Sequence, residues 1–239
     1  MNCYCSRTVR GFTLIELLVV MAVFAVVATF IGPAIQSLLK STGLTRASYD
    51  ISSLLEQART YAVGRNTYVY VGFQEVDSVT PTVADGVGRI VVGIVASLDG
   101  TRPYTTLSGN PSLPSGNLAM IDRLHYYDRV HLVDASTSTN GANMTSRPVA
   151  SYDLAKTAAT TNFQCPLNGA PKNRFSKVIE FDPQGVARVQ TDTVYRAMVS
   201  GYIEISMVPA NGNVAALTHP NQAAIQVDSM TGAVRLYRP

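Results

Sequence analysis

From Leu17 to Ile35 the chain reads LLVVMAVFAVVATFIGPAI, nineteen positions with neither a charge nor a polar face. A helix needs about 20 such residues to cross a hydrocarbon core of about 30 Å, whereas a core helix of a soluble domain keeps a polar stripe. The pattern therefore predicts a transmembrane helix, assigned to residues 12–40. Past Lys40 the pattern changes: Leu44, Ala47, Ile51, Leu54, Leu55, Ala58 and Ala62 recur at spacings of three and four, with Arg46, Asp50, Glu56, Gln57 and Arg65 off that stripe. That is an amphipathic helix packed on a globular body. Ser41-Thr42-Gly43 weakens the helix between the two halves. If helical throughout, Phe12 to Gly64 is about 80 Å long at about 1.5 Å per residue.

Beyond Asn66 the periodicity becomes that of strands. They are expected over Thr67 to Phe73, Gly88 to Ala96, Lys177 to Asp182, Val186 to Gln190, Tyr202 to Val208, Ala223 to Asp228 and Ala233 to Tyr237. Asp182-Pro183-Gln184-Gly185 and Ser229-Met230-Thr231-Gly232 are turn sequences that favour antiparallel hairpins. From about residue 98 to 175 the chain is rich in Ser, Thr, Asn, Gly and Pro, with one regular patch from Leu124 to Val133, and reads as an insertion or loop region. The fold class is α+β: a long N-terminal helix, transmembrane and then amphipathic, packed on an antiparallel β-sheet head at 41–239.

Composition is that of an ordinary folded protein of 239 residues with a formal charge of +3. Arg7 and Arg10 fall in the segment MNCYCSRTVRG ahead of the apolar run. Without it the chain is close to neutral, which argues against nucleic acid as a partner. Cys3 and Cys5 lie in the same segment, without the His or further Cys of a metal site, and their loss leaves Cys165 alone. A disulfide framework within such a shortened chain is excluded.

Glu16 is an acid at the entrance of an uninterrupted apolar segment. Its carboxylate costs a few kcal/mol in lipid unless a positive partner neutralises it. A cut between Gly11 and Phe12 would place a new α-amino group in the same stretch, and the two charges become a candidate ion pair that sets register between neighbouring subunits. Two other readings explain the apolar run. One is a generic signal anchor, which leaves Glu16 unexplained. The other is a secretory signal peptide ending at Val26-Val27-Ala28 before Thr29.

Arg10-Gly11-Phe12-Thr13-Leu14-Ile15-Glu16, followed by Leu17-Leu18-Val19-Val20, resembles the prepilin-type cleavage and methylation motif of type IV pilins and type II secretion pseudopilins. The resemblance implies a leader at 1–11, Gly11 before the cut, Phe12 as the N-methylated first residue and Glu16 as the assembly glutamate. Gly32-Pro33 falls where such helices carry a loosening proline, since proline removes a backbone hydrogen bond and bends a helix. Leu54-Leu55-Glu56-Gln57-Ala58-Arg59-Thr60-Tyr61-Ala62, with Phe181 to Gly185 and Thr231-Gly232, resembles the GspH/FimT minor pseudopilins. Asp228, Thr231 to Arg235 and Arg238-Pro239 are similar to the group called Verru_Chthon cassette protein D.

The resemblance further implies a prepilin peptidase/methyltransferase as processing enzyme, with other pilins or pseudopilins, an inner-membrane assembly platform and membrane lipid as partners. The N-terminus would be cytoplasmic and the head periplasmic. The implied role is a structural minor subunit of a type II secretion or type IV pilus-like filament, without cofactor or metal. The alternative is a membrane-mounted module in which the head binds DNA, a secreted substrate or a surface.

Sites for chemistry are weak. His125 and His131, with Asp128 and Asp134, share one face if they lie on a single strand, and nothing separates this from an ordinary polar strand face. Ser37-Leu38-Leu39-Lys40 matches an acyl-transfer pattern without its companion motifs. Gly86-Val87-Gly88 is a turn fragment, and no phosphate-binding loop, nucleophile elbow or zinc-protease motif occurs. Most tyrosines read as half-buried sheet residues. Arg235 and Arg238 beside Tyr237 offer positive charge to DNA or an anionic glycan, but read better as a solvated terminal strand.

Overall fold

The computed structural model describes residues 12–78, 85–102, 113–134, 144, 147–156, 163–167, 172–189 and 200–239, and of 30–41 the backbone only. Helix α1 covers Leu14–Arg65 and runs through Ser41-Thr42-Gly43 without a break. The chain divides into two compact units, one ending at Leu39 and the other spanning Lys40–Pro239.

In the first unit the described side chains are exposed and, apart from Thr13, Glu16 and Thr29, apolar: Phe12 is 82% exposed and Phe24 74%. Among the described residues no helix is long and apolar enough to cross a membrane. The apolar run of the sequence continues into 30–41, whose side chains lie outside the description, as does the leader at 1–11.

The second unit is built on the amphipathic half of α1. Leu44, Ala47, Ile51, Leu55 and Ala62 are fully buried, Ala58 and Leu54 nearly so, and Arg46, Gln57 and Arg65 are exposed. The expected stripe is the observed one. Each large apolar side chain so buried contributes about 1.5–3 kcal/mol relative to exposure. The helix ends where Asn66 turns left-handed at φ 51°. Asn66 N–H then reaches the Val63 carbonyl at 3.4 Å and Thr67 N–H the Ala62 carbonyl at 3.1 Å, which satisfies the last turn.

Fourteen strands follow among the described residues: β1 (Val69–Asp77), β2 (Gly88–Ser97), β3 (Leu118–Met120), β4 (His125–Asp128), β5 (Val130–Leu132), β6 (Tyr152–Asp153), β7 (Phe163–Cys165), β8 (Asn173–Phe175), β9 (Lys177–Phe181), β10 (Ala187–Val189), β11 (Tyr202–Asn211), β12 (Val214–Ala215), β13 (Ala223–Asp228) and β14 (Val234–Tyr237). All seven expected strands are present with slightly shifted ends. The first sheet has the order β10-β9-β1-β2-β3, with β4 sharing the β2 edge. The second has the order β12-β11-β13-β14, with β5 and β6 also on β11. The pairings are antiparallel except β6 with β11.

The two expected hairpins, β9–β10 and β13–β14, use one turn chemistry twice. Asp182 Oδ1 accepts the Gln184 and Val186 amides at 2.9 and 3.0 Å, and Asp228 Oδ1 those of Met230 and Thr231 at 2.9 and 3.2 Å. Each turn then closes on a glycine with positive φ, 83° at Gly185 and 66° at Gly232. Ser229, fully buried, joins the sheets: its carbonyl accepts the Ala187 amide at 2.9 Å and its hydroxyl donates to the Ala187 carbonyl at 2.7 Å.

The stretch read as a loop region differs from that expectation. It supplies β3 to β8 and adds strands to both sheets. Its short strands are separated by polar turns, so no single window is long enough to show a period of two. At Arg129 the chain passes from one sheet to the other. Arg129 N–H donates to the Gly88 carbonyl of the first sheet at 2.7 Å, its carbonyl accepts from Ala210 N–H of the second at 2.8 Å, and its φ is 63°.

The main core lies between the α1 stripe and the inner faces of both sheets, with Val71, Phe73, Ile94, Ile179, Phe181, Ile205 and Ile225 among its members. A second, smaller cluster lies on the other face of the first sheet, formed by Tyr70, Val91, Val95 and Val178 with Phe163, Cys165 and Phe175 of the β7–β8 hairpin. Burial on both faces explains why β1 and β2 read as near-continuous apolar runs.

Candidate functional site

Two places gather the residues singled out in the sequence. The first is the start of α1. Thr13 is its cap: Glu16 N–H reaches Thr13 Oγ1 at 3.3 Å, while Glu16 Oε2 accepts from the Thr13 amide and the Thr13 hydroxyl, both at 3.4 Å. This reciprocal arrangement is a capping box, whose signature Thr13-Leu14-Ile15-Glu16 is present in the sequence. The carboxylate is thus held on Thr13 at the N-terminal end of the helix, where the helix dipole favours negative charge. Both Phe12 and Glu16 are exposed. Gly11 lies outside the described residues, and so do the side chains around Gly32 and Pro33, through which the α1 backbone is helical.

The second place is the end of α1, which brings together the three segments behind the looser resemblance. Glu56 Oε1 accepts the Val234 amide at 3.0 Å, tying the first residue of β14 to the helix. One turn on, the Arg59 side chain lies over both hairpin glycines: a Cβ built on Gly232 would meet Arg59 Cδ at 3.0 Å and run into the Gly185 carbonyl. Both glycines are required for their positive φ, and Gly232 a second time, because a Cβ there has no room between Arg59 and the Gly185 carbonyl. Glu56 and Arg59 pair at 3.6 Å. Just past the end of that strand, Arg238 Nη2 donates to Thr45 Oγ1 at 2.9 Å and Asn221 Oδ1 at 2.7 Å, so it is engaged within the head rather than free for an anion. Arg235 is exposed. A shallow open groove of about 580 Å³ runs along α1 beside Glu56, lined by Ser53, Gln57, Thr60, Tyr61, Gly64 and Arg65.

The histidines do not form one face. His125 lies on β4 in the first sheet and bonds Asp122 at 3.0 Å; His131 lies on β5 in the second sheet and bonds Glu75. The left-handed residue Arg129 between them breaks the strand, which sequence spacing alone could not reveal. The hydrogen bond from His125 holds the Asp122 carboxyl below its ordinary range. Among the described residues no group of three or more His, Cys, Asp or Glu is placed to hold a metal. The described Cys165, the last residue of β7, is buried, and burial pushes its thiol up to about 11. Tyr70 and Tyr127 are buried, Tyr61, Tyr68, Tyr202 and Tyr237 are half-buried, and Tyr126 is exposed.

One polar cluster had no signal in the sequence. Fully buried Glu204 of β11 accepts from Arg147 Nε at 3.0 Å, Ser206 Oγ at 2.7 Å and Gln226 Nε2 at 2.7 Å, and the same Gln226 amide donates to the Pro148 carbonyl at 2.7 Å. Its members are up to 79 residues apart in the chain (226 − 147) and meet only because β11, β13 and the 147–148 segment are stacked. With every contact inside the head, it fastens that segment to the sheet.

The family model of the prokaryotic N-terminal methylation motif matches residues 6–32. A fimbrial protein of Pseudomonas aeruginosa is 29% identical over 113 residues, covering 43% of this chain and 70% of the relative. A second fimbrial protein of the same organism matches to the same extent. No solved structure matches the chain. The motif and these likenesses support a pilin-like subunit, a structural rather than a catalytic protein, of the kind that a prepilin peptidase processes and that assembles with other pilins.

Proposed function

We propose that the chain is a minor pilin or pseudopilin, cut between Gly11 and Phe12, N-methylated on Phe12 and assembled through Glu16 into a type II secretion or type IV pilus-like filament. The observation that carries this reading is the coincidence of the methylation motif at 6–32 with a helix that begins at a Thr13–Glu16 capping box and bears exposed apolar side chains from Phe12 to Val27. A continuous apolar surface of that extent is costly in water and needs lipid or neighbouring subunits to cover it. We assign that role to the inner membrane before assembly, with the assembly platform as the site of transfer, and to neighbouring helices afterwards. The capping box holds the Glu16 carboxylate on the side from which a new Phe12 amine would approach. Gly32 and Pro33 would loosen the helix.

The approach of Glu56 and Arg59 to Gly185, Gly232 and Val234 supports the GspH/FimT type over a major pilin, because it ties together the segments that carry that resemblance. The cassette group is the narrower assignment on the same C-terminal residues. Mass spectrometry of the N-terminal peptide from the native membrane fraction tests the reading. N-methylated Phe12 is expected; a peptide beginning at Met1 or Thr29 overturns it.

A further inference from the structure

The β7–β8 hairpin stands apart from the two sheets. Among the described residues it pairs with neither, forming a two-stranded sheet of its own with three residues in each strand. An isolated hairpin of that length is marginal in water, so its place depends on what it lies against. Beneath it, Gly72 of β1 and Gly93 of β2 are directly opposed in register. Two adjacent strands without side chains at this point leave a depression in the sheet. Phe163 and Phe175 fill it, stacked with ring centroids 4.7 Å apart. A Cβ on Gly72 would come within 2.5 Å of the Phe163 ring, and one on Gly93 within 2.9 Å of the Phe175 ring. Gln74 supplies a polar attachment: its Oε1 accepts from the Arg174 amide at 2.9 Å and from Asn173 Nδ2 at 3.2 Å. On its other side β8 continues into β9 through Ser176 alone, which makes that residue the natural hinge.

The cluster that the hairpin completes is separate from the main core, which lies on the opposite face of β1 and β2 and draws on α1 and both sheets. Lifting the hairpin therefore removes none of the contacts that hold α1 to the sheets. Segments with few contacts of their own open at lower free energy than the core they rest on. We propose that the β7–β8 hairpin is a cover that opens as one unit while α1 and the two main sheets stay folded, uncovering the apolar outer face of the first sheet around Gly72 and Gly93. Cys165, buried within the cover, reports the opening, because its thiol can be alkylated only when the hairpin lifts.

The test is alkylation of the full chain in detergent micelles at sub-denaturing urea, quantified on the Cys165 peptide and compared with an Ala58→Cys probe in the main core. Cys165 should react at least about tenfold faster than the core probe. Gln74→Ala, which removes both hydrogen bonds to Gln74, should speed Cys165 roughly tenfold further and leave the core probe unchanged. Amide exchange in the unmodified chain gives a second measurement, with β7–β8 exchanging ahead of the buried turns of α1 between Leu44 and Ala62. Equal rates for Cys165 and the core probe at every urea concentration, or joint exchange of hairpin and helix, would show a single cooperative unit and overturn the proposal.

Discussion

The glycine pair under the hairpin allows a worked prediction. At Gly72 a Cβ would meet Phe163 Cζ at 2.5 Å, Phe163 Cε1 at 2.7 Å and Phe175 Cβ at 2.7 Å. The Phe163 ring can swing aside, but Phe175 Cβ is fixed to its backbone, so the strand or the hairpin has to move by about 1 Å to reach ordinary contact. Overpacking of this kind costs about 1–3 kcal/mol. Against it stands the reduced freedom of the unfolded chain when glycine becomes alanine, a gain of about 0.4–1 kcal/mol where the backbone tolerates it. Clash wins, and Gly72→Ala should lose about 1–2 kcal/mol. For a unit of this size that is a fall in Tm of about 2–8 °C. The assay is urea unfolding of the full chain in detergent, beside two controls. Gly64→Ala, where a Cβ meets nothing within 4 Å, should gain about 0.5–1 kcal/mol through helix propensity. Phe163→Leu in the Gly72→Ala background should recover part of the loss, giving a coupling energy between the two sites. Stability of Gly72→Ala equal to or above that of the parent, or purely additive effects of the pair, would refute the packing argument.

Three further outcomes are expected. Arg147→Ala leaves the fully buried Glu204 without its cation and should cost about 3 kcal/mol in the same assay; a loss below about 1 kcal/mol would remove this pair from the account of the head. Because burial raises the Cys165 thiol to about 11, its contribution is fully present below the unfolded thiol value of about 8.5 and is lost as pH rises from there through about 11. Urea midpoints measured at pH 8 and pH 10.5 should therefore fall more steeply for the parent than for Cys165→Ala, and parallel slopes would contradict the burial argument. Glu16→Ala should leave processing of the N-terminal peptide largely intact and impair incorporation into a filament; normal incorporation would refute the assembly role given to Glu16.

Local pattern carried a large part of the architecture. The buried face of α1 was legible because a helix repeats every 3.6 residues and seven apolar positions kept that period. Both terminal hairpins were legible because Asp-headed turns closing on glycine have few other conformations. The Thr13–Glu16 box is equally readable from its spacing of three, because a capping box joins fixed positions of one helical turn. Within the 98–175 stretch the patch from Leu124 to Val133, where β4 and β5 lie, was legible; β3 and β6 to β8 were not, since pieces of two or three residues hold too few positions for a period to appear. The histidines misled because alternation was counted through Arg129, where a left-handed residue moves the chain from one sheet to the other.

What the sequence by itself determined is therefore local: an apolar N-terminal helix headed by Glu16, an amphipathic continuation, and strands punctuated by Asp-Gly turns. Backbone preference and side-chain period act over a few residues, and so can be read from a few residues. Only the tertiary structure decided that Gly72 and Gly93 face each other beneath two aromatic rings, that Arg147, Glu204 and Gln226 share one buried cluster, and that Arg59 clasps Gly185 and Gly232. Those contacts join positions tens to more than a hundred residues apart. They exist because burying apolar surface on both faces of the first sheet brings those strands together, a free energy that belongs to the whole chain and to no window of it.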